Sequence, residues 1–270
     1  MSGHYIRLNR LFSEGKRAVI VAADHGEFFG PTPGIIDLPE AIQKVTAADA
    51  LLLSPGMMRH CGHAFAFRGA PMAIVRLNWS TVYCFQWGYD QARSCPVVSA
   101  QEALALGADI ALGSLTLSMT DQQMDRDNVA LFAQMAEQKR AAGIPLIGEF
   151  YPIAPERLSR EELHKQVYAA CRIIAELGAD AIKTFYTGPK FADIVEACPV
   201  PIFALGAEKT PKEVDALKLA ASAVAAGARG VVFGRNVIQA ANPPVFLAGL
   251  KKVVKEDAVP EEVAAELGLN

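Results

Sequence analysis

GADAIKTF, residues 178–185, is a short apolar run entered through a glycine, and it holds one charged side chain, Lys183. Three stretches echo it: AADALLLS at 47–54, GADIALGS at 107–114 and GARGVVFG at 227–234. Helical-looking segments lead into them, such as AQEALALGAD (100–109) and QVYAACRIIAELGAD (166–180). The repeating unit is a helix, a small-residue turn and a buried strand. Glycine suits the end of the helix because it tolerates the left-handed conformation there. Continuous apolar runs, in place of strict alternation, mark strands covered on both faces.

Working outward from these echoes gives eight such runs. They are AVIVAAD (18–24), ADALLLSP (48–55), MAIVRLNW (72–79), ADIALGSL (108–115), PLIGEFYP (145–152), ADAIKTFY (179–186), PIFALGAE (201–208) and GVVFGRN (230–236). Eight strand–helix units in about 250 residues predict a single-domain α/β fold, the TIM (β/α)8 barrel. A doubly wound sheet is the rival architecture, but no GxGxxG follows the first run. After the third run, residues 80–99 (STVYCFQWGYDQARSCPVVS) carry no clear helix. Residues 1–17 read as a short N-terminal extension and about 244–270 as a C-terminal helical tail.

Composition narrows the function. The chain has 270 residues, 51% of them hydrophobic, which suffices for a large core. Net charge is −3 and no basic run exceeds a pair such as Lys251-Lys252, so nothing resembles a nucleic-acid footprint. Five scattered cysteines without a CxxC pair suggest reduced thiols and not a disulfide or zinc framework. The first residues are too polar for a signal peptide and no apolar run reaches membrane-spanning length, which predicts a cytoplasmic protein with no membrane partner.

Barrel active sites lie at the C-terminal strand ends, which singles out Asp24, Arg76, Glu149, Tyr151, Lys183, Glu208, Lys209 and Arg235. Lys183 is the only lysine inside any of the eight runs. A desolvated lysine near other cations becomes a nucleophilic amine that attacks carbonyls to form a Schiff base. The alternative is an outward-facing lysine snorkelling between outer helices. Loops LGAEKTPKE (205–213) and FGRNVIQ (233–239) occupy the usual phosphate position of such barrels. Gly206 and Gly234 permit close backbone approach, Arg235 can grip phosphate bidentately, and Lys209 adds a point charge. His60, Cys61 and His63 in HCGH offer too few ligands for a zinc site. The aromatics Trp79, Tyr83, Phe85, Trp87 and Tyr89 suit either a substrate mouth or a subunit interface.

IKTFYTG (182–188) resembles the Schiff-base strand of class I barrel aldolases in the deoxyribose-phosphate aldolase superfamily. Over roughly residues 18–255 the chain is similar to the archaeal-type (DhnA-type) class I fructose-bisphosphate aldolases. The marks are DHGEFFGPTPGIID (24–37), YP (151–152), KTFYTG (183–188), EKT (208–210) and GRNVIQAANP (234–243). The resemblance implies Lys183 as nucleophile, Asp24 beside it, and Tyr151 as general acid/base. It also implies a phosphosugar or related carbonyl substrate, no metal or other cofactor, and a homo-oligomer such as a pentamer or decamer.

Candidate substrate- and phosphate-binding positions are His25, Arg76, Glu149, Gly206, Ala207, Lys209, Gly234 and Arg235. The chain departs from the pattern in several places. It reads GAEK where relatives place two glycines, YPIAP where they read YPRG, and has unexpected residues at Arg76 and Glu149. These departures favour a singly phosphorylated or otherwise modified carbonyl compound over a bisphosphate. The rival activities are a coenzyme A-dependent thiolase or acyltransferase of the same family and an inactive phosphosugar-binding barrel.

Overall fold

The computed structural model describes residues 2–270. Eight parallel strands close into a barrel: β1 Ala18–Ala22, β2 Ala50–Leu53, β3 Met72–Arg76, β4 Ile110–Leu115, β5 Leu146–Phe150, β6 Ala181–Phe185, β7 Ile202–Leu205 and β8 Gly230–Phe233. β8 returns to pair with β1, Ala18 lying opposite Gly230. The fold is the expected TIM barrel.

Alternation hidden inside the apolar runs decides which side chains fill the barrel. Ala18, Ile20 and Ala22 join Leu52, Ile74, Leu112, Ile147, Ala181, Phe203 and Val232 in the interior cluster. Val19 and Val21 belong to the larger shell between strands and helices. Each of the Leu, Ile, Val and Phe side chains among them gains about 1.5–3 kcal/mol from burial, and the alanines less.

The echo at the strand entrances has a physical cause. The carboxylate of Asp49 accepts the Val19 amide (2.6 Å), Asp109 that of Ala73 (3.1 Å) and Asp180 that of Leu146 (2.8 Å). Each aspartate thus satisfies an amide at the start of the preceding barrel strand. In the fourth echo Arg229 takes that position, and its guanidinium lies 4.7 Å from the Phe12 ring centroid.

This end of the barrel is stoppered. Helix Ser2–Leu11 reaches Asp180 through His4 (2.9 Å) and Asp109 through Arg10 (3.0 Å). Leu11 and Phe12 enter the interior cluster, where Phe12 stacks on Phe203 with centroids 5.9 Å apart. The N-terminal extension is therefore a plug.

The segment expected as a C-terminal tail needs correction. Helix Pro243–Glu256 packs against β1 and β8 and buries Phe246, Leu247, Leu250, Val253 and Val254 in the shell, so it is the eighth barrel helix. Only Pro260–Leu267 lies beyond it, against that helix and Glu213–Ala225.

After β3 the chain forms an antiparallel pair, Asn78–Ser80 with Ser94–Pro96, joined through two short 3-10 turns. The Asn78 side chain bonds the amide (2.8 Å) and carbonyl (3.0 Å) of Ser114, fixing the outgoing root. Asn128 donates to the carbonyls of Ala92 (2.8 Å) and Thr116 (3.0 Å), fixing the return. The aromatic excursion is thereby held over the C-terminal mouth.

Candidate active site

Strand parity brings four charged side chains into the upper barrel. Lys183 lies two residues after inward-facing Ala181, Glu149 two after Ile147, and Arg76 two after Ile74. Lys183 therefore points inward and lines the mouth pocket, and the outward snorkelling arrangement does not occur. Asp24 joins them from the loop just after β1. All four are at most 7% exposed.

They form one alternating chain. Arg76 Nε donates to Asp24 Oδ2 (2.6 Å) and Nη2 to Glu149 Oε2 (2.6 Å). Lys183 Nζ lies 2.6 Å from the other Glu149 oxygen, Oε1. Glu149 and Lys183 are direct neighbours in the β5–β6 register. Two cations and two anions balance, which is what allows four charges to be buried together. The Arg76 guanidinium lies 5.1 Å from the Phe28 ring centroid and 4.9 Å from that of Tyr83, within cation–π range.

Protonation states follow from this arrangement. Burial alone would push Asp24 up, but Arg76 and Lys183 override it and hold the carboxyl at about 2. Burial likewise opposes ionisation of Glu149, and Lys183 and Arg76 pull its pKa below the ordinary value. For Arg76, burial disfavours the charge, while Asp24 and Glu149 keep the guanidinium firmly protonated. Burial lowers His25 to about 4, so its imidazole is neutral at neutral pH. That ring fills the space over Gly234, where an added Cβ would lie 2.2 Å from its Cε1.

Glu27 behaves oppositely. Its Oε2 is buried without a hydrogen-bond partner, and burial raises the carboxyl to about 7, with Arg76 opposing and Asp24 reinforcing the shift. A carboxyl whose folded-state pKa is raised stabilises the fold fully below its ordinary value of 4.5, and that contribution is lost as pH rises through about 7. Thermal melts of Glu27→Gln between pH 5 and 8 should therefore lack a pH-dependent loss present in the parent, worth up to about 3 kcal/mol. Parallel melting profiles for the two proteins would contradict this.

Tyr151, one residue beyond β5, stands at the junction of two spaces. A narrow pocket of about 60 Å³ is lined by Asp24, His25, Arg76, Glu149, Tyr151 and Lys183, with Gly206, Ala207, Gly234 and Arg235 on its other wall. A wider cleft of about 540 Å³ opens beside it past Phe85, Tyr151 and Ala207. The Tyr151 ring is packed by Tyr83 (5.1 Å), Phe85 (5.5 Å) and Phe185 (4.9 Å). Burial raises its phenol above the ordinary value.

The loops after β7 and β8 are sewn together by Asn236. Its side-chain amide donates to the carbonyls of Gly206 (2.9 Å) and Glu208 (3.1 Å), and its oxygen accepts the Thr210 amide (2.8 Å). Ala207 adopts φ +48°, a left-handed conformation that costs an alanine about 1–2 kcal/mol and a glycine almost nothing. The alanine thus occupies a backbone conformation that favours glycine. Arg235 donates to the Ala207 carbonyl (3.0 Å), while its Nε is buried and unpartnered. Lys209 donates to the Gln239 carbonyl and is drawn toward that loop. Glu208 is exposed and lines the wider cleft, not the narrow pocket.

Glu27, Phe28 and Asn236 escaped the sequence reading, although all three stand within quoted motifs. Their signal was adjacency to Asp24 and Arg235. Of the aromatic excursion, Tyr83 and Phe85 reach the mouth, and Trp87 and Tyr89 are more than half exposed. His60 and Cys61 ride on helix Pro55–Cys61, away from the pocket, and His63 lies 3.3 Å from the Pro39 carbonyl.

A (β/α)8 barrel with a lysine on the inner wall of its open mouth is the architecture of the barrel aldolases. The family model for DeoC/LacD family aldolases matches residues 18–240, and the chain belongs to that family, which makes it an enzyme of the lyase class. It is 31% identical over 266 residues to an uncharacterized aldolase of Saccharolobus solfataricus, covering 96% of each chain. It is 30% identical over 272 residues to the 2-amino-3,7-dideoxy-D-threo-hept-6-ulosonate synthase of Halobacterium salinarum, covering 99% of this chain and 97% of the relative. Among solved structures it is similar to an archaeal fructose-1,6-bisphosphate aldolase whose catalytic lysine is bound to a carbinolamine intermediate. That likeness has a TM-score of 0.77 at 26% identity and covers 92% of this chain and 98% of the other.

Proposed function

We propose that the protein is a class I aldolase in which Lys183 forms a Schiff base with the carbonyl of a phosphorylated ketose or a related compound. The observation that carries this reading is the inward, buried Lys183 at the pocket floor, paired to Glu149 at 2.6 Å. The iminium is the electron sink. Tyr151 removes the proton of the C4 hydroxyl, the C3–C4 bond breaks toward the iminium, and the resulting enamine is protonated and hydrolysed. Asp24 lines the same pocket and is available to the substrate hydroxyls.

Support for one phosphate comes from the Gly206–Ala207 and Gly234–Arg235 loops, where Arg235 has a buried N–H without a protein partner. His25 lines the same pocket, whereas Lys209 is turned to the Gln239 carbonyl and is not among its lining residues. Ile153, in place of an arginine after Tyr-Pro, lines the wider cleft, where three carboxylates, Asp90, Glu156 and Glu208, outnumber the one cation, Arg157, a balance that disfavours a second phosphate there. Sodium borohydride treatment in the presence of carbonyl phosphates, without coenzyme A, should fix the substrate on Lys183 alone. Label on another residue, or none with a compound that is turned over, would defeat the reading.

Tyr151→Phe should keep the covalent adduct yet lower kcat by about 10²–10⁴-fold, the usual worth of a general acid/base. Single-turnover measurements check this, and an unchanged kcat would remove Tyr151 from the chemistry. The reading extends to a cytoplasmic homo-oligomer, for which the exposed Trp87 and Tyr89 are suitable interface aromatics. Light scattering on the purified protein should give a mass several times 28.9 kDa.

A further inference from the structure

A buried phenol ordinarily gives its O–H to a partner. Tyr83 is 6% exposed and lines the narrow pocket, yet its hydroxyl has no hydrogen-bond partner in the protein. The ring is clamped in place. Its centroid lies 4.7 Å from that of Phe28 and 5.1 Å from that of Tyr151, with the Arg76 guanidinium 4.9 Å away. The 3-10 turn that carries it, Thr81–Tyr83, opens on Ser80, whose hydroxyl accepts the Val82 amide (3.4 Å). Glu149 and Ser114 are near enough to bear on the ionisation of the phenol, but neither is placed to bond it. Both are engaged elsewhere, Glu149 by Arg76 and Lys183, and Ser114 by Asn78. Burial, reinforced by Glu149, holds the phenol well above its ordinary value, so it stays a donor. An unpaired buried donor is costly, and a bound acceptor removes that cost. Tyr83 comes from the aromatic excursion after β3, outside every motif that carries the family resemblance.

We propose that Tyr83 determines substrate specificity: its O–H donates to the hydroxyl on the carbon next to the captured carbonyl, on the side away from the phosphate. The proposal rests on the Schiff-base reading of Lys183 and on phosphate at the Gly206–Ala207 and Gly234–Arg235 loops. Around the barrel the strands follow the order β8, β7, β6, β5, β4. Phosphate at the loops after β7 and β8, with the carbonyl carbon on Lys183 of β6, directs the rest of the substrate toward β5 and β4. Glu149 on β5 and Ser114 on β4, neighbours in register, are the polar groups near the Tyr83 hydroxyl. In a ketose 1-phosphate the carbon that reaches this side first is C3, and its oxygen is the C3 hydroxyl. That hydroxyl accepts from Tyr83 and keeps its own proton to donate, so the contact does not compete with Asp24. Tyr151, edge-on to Tyr83, is left with the C4 hydroxyl, as the cleavage step requires. Tyr83 transfers no proton. It selects carbonyl phosphates hydroxylated at C3 over those with a methyl or methylene group there.

The test compares two probes: dihydroxyacetone phosphate, which carries the C3 hydroxyl, and hydroxyacetone phosphate, which has a methyl group in its place. The readout is the probe concentration that half-saturates borohydride-trapped adduct at Lys183, measured by mass spectrometry. The parent should favour dihydroxyacetone phosphate, and Tyr83→Phe should lower that preference about 3–10-fold, the worth of one neutral hydrogen bond. Indifference of the parent to the two probes would overturn the role of Tyr83. So would an equal loss on both probes in Tyr83→Phe, because a ring that only supports the pocket affects both alike. Absence of a Lys183 adduct with either probe in the parent would instead overturn the Schiff-base reading, and this proposal with it. The fold supplies a further check. Tyr83→Phe keeps the ring and its neighbours and removes a hydroxyl that bonds nothing in the protein, so it should melt within about 2 °C of the parent. Failure to fold, or a clear drop in Tm, would show that the hydroxyl serves the structure and would equally refute the proposal.

Discussion

Lys183→Met should abolish turnover and borohydride labelling together while leaving the barrel intact. Methionine is unbranched, close to lysine in length, and adaptable enough to fill the space beside Ala181 on the inner face of β6. The rest of the charged chain survives, because Arg76 still holds Asp24 and Glu149 through separate nitrogens. One carboxylate loses a partner but not its only one. The stability loss should therefore stay below the roughly 3–5 kcal/mol that follows when a buried charge is left wholly uncompensated. Far-UV circular dichroism and a cooperative melt check the fold. Activity against whichever carbonyl phosphate the parent cleaves should fall to background, since no other lysine lies inside a barrel strand to replace the amine. Retained turnover in a folded Lys183→Met protein would place the chemistry elsewhere. The contrast with Tyr151→Phe is diagnostic: that variant loses turnover but keeps the label, which separates capture of the substrate from cleavage of its C–C bond.

How much of this was legible in the sequence depends on the range of the interaction. The strands were legible because each is a local apolar run with a small-residue entrance, and Lys183 stood out as the one lysine in any of them. The inward direction of Arg76 and Glu149 was not legible, since both faces of each run are apolar and parity alone does not tell the barrel interior from the helix-facing shell. What local pattern could not supply was that these two meet. β3 and β5 are not hydrogen-bonded neighbours, and β4 lies between them, so the Arg76–Glu149 contact exists only because the barrel closes. The same holds for helix Pro243–Glu256. Its apolar face reads as a tail until β1, more than two hundred residues earlier, is brought alongside it. The GAEK departure resolves in the opposite direction. Ala207 looked like the loss of a functional glycine, yet the backbone keeps the left-handed turn and absorbs the strain.

Arg76→Met should be the most destabilising substitution in the site. Arg76 is the hub of the charged chain, bonded to two carboxylates at 2.6 Å each and flanked by Phe28 and Tyr83. Without it Asp24 loses its hydrogen-bonded counter-ion, and Glu149 keeps only Lys183. Two buried carboxylates would then share one ammonium, and their mutual repulsion would drive one of them to bind a proton. A loss of about 3–5 kcal/mol is expected, which at about 2–4 °C per kcal/mol lowers Tm by roughly 6–20 °C. The sign of the pH dependence is a second readout. In the parent, the folded-state pKa of Asp24 is depressed to about 2, so its stabilising contribution is present above its ordinary value of 3.8 and lost only as pH falls through about 2. Arg76→Met removes the main cause of that depression, so acid unfolding should begin at higher pH. Arg76→Lys should recover only part of the loss, because a single ammonium cannot reproduce two divergent N–H bonds or the planar stack between the two rings. A melt of Arg76→Met within about 2 °C of the parent, with unchanged acid unfolding, would mean that the four charges do not act as one unit.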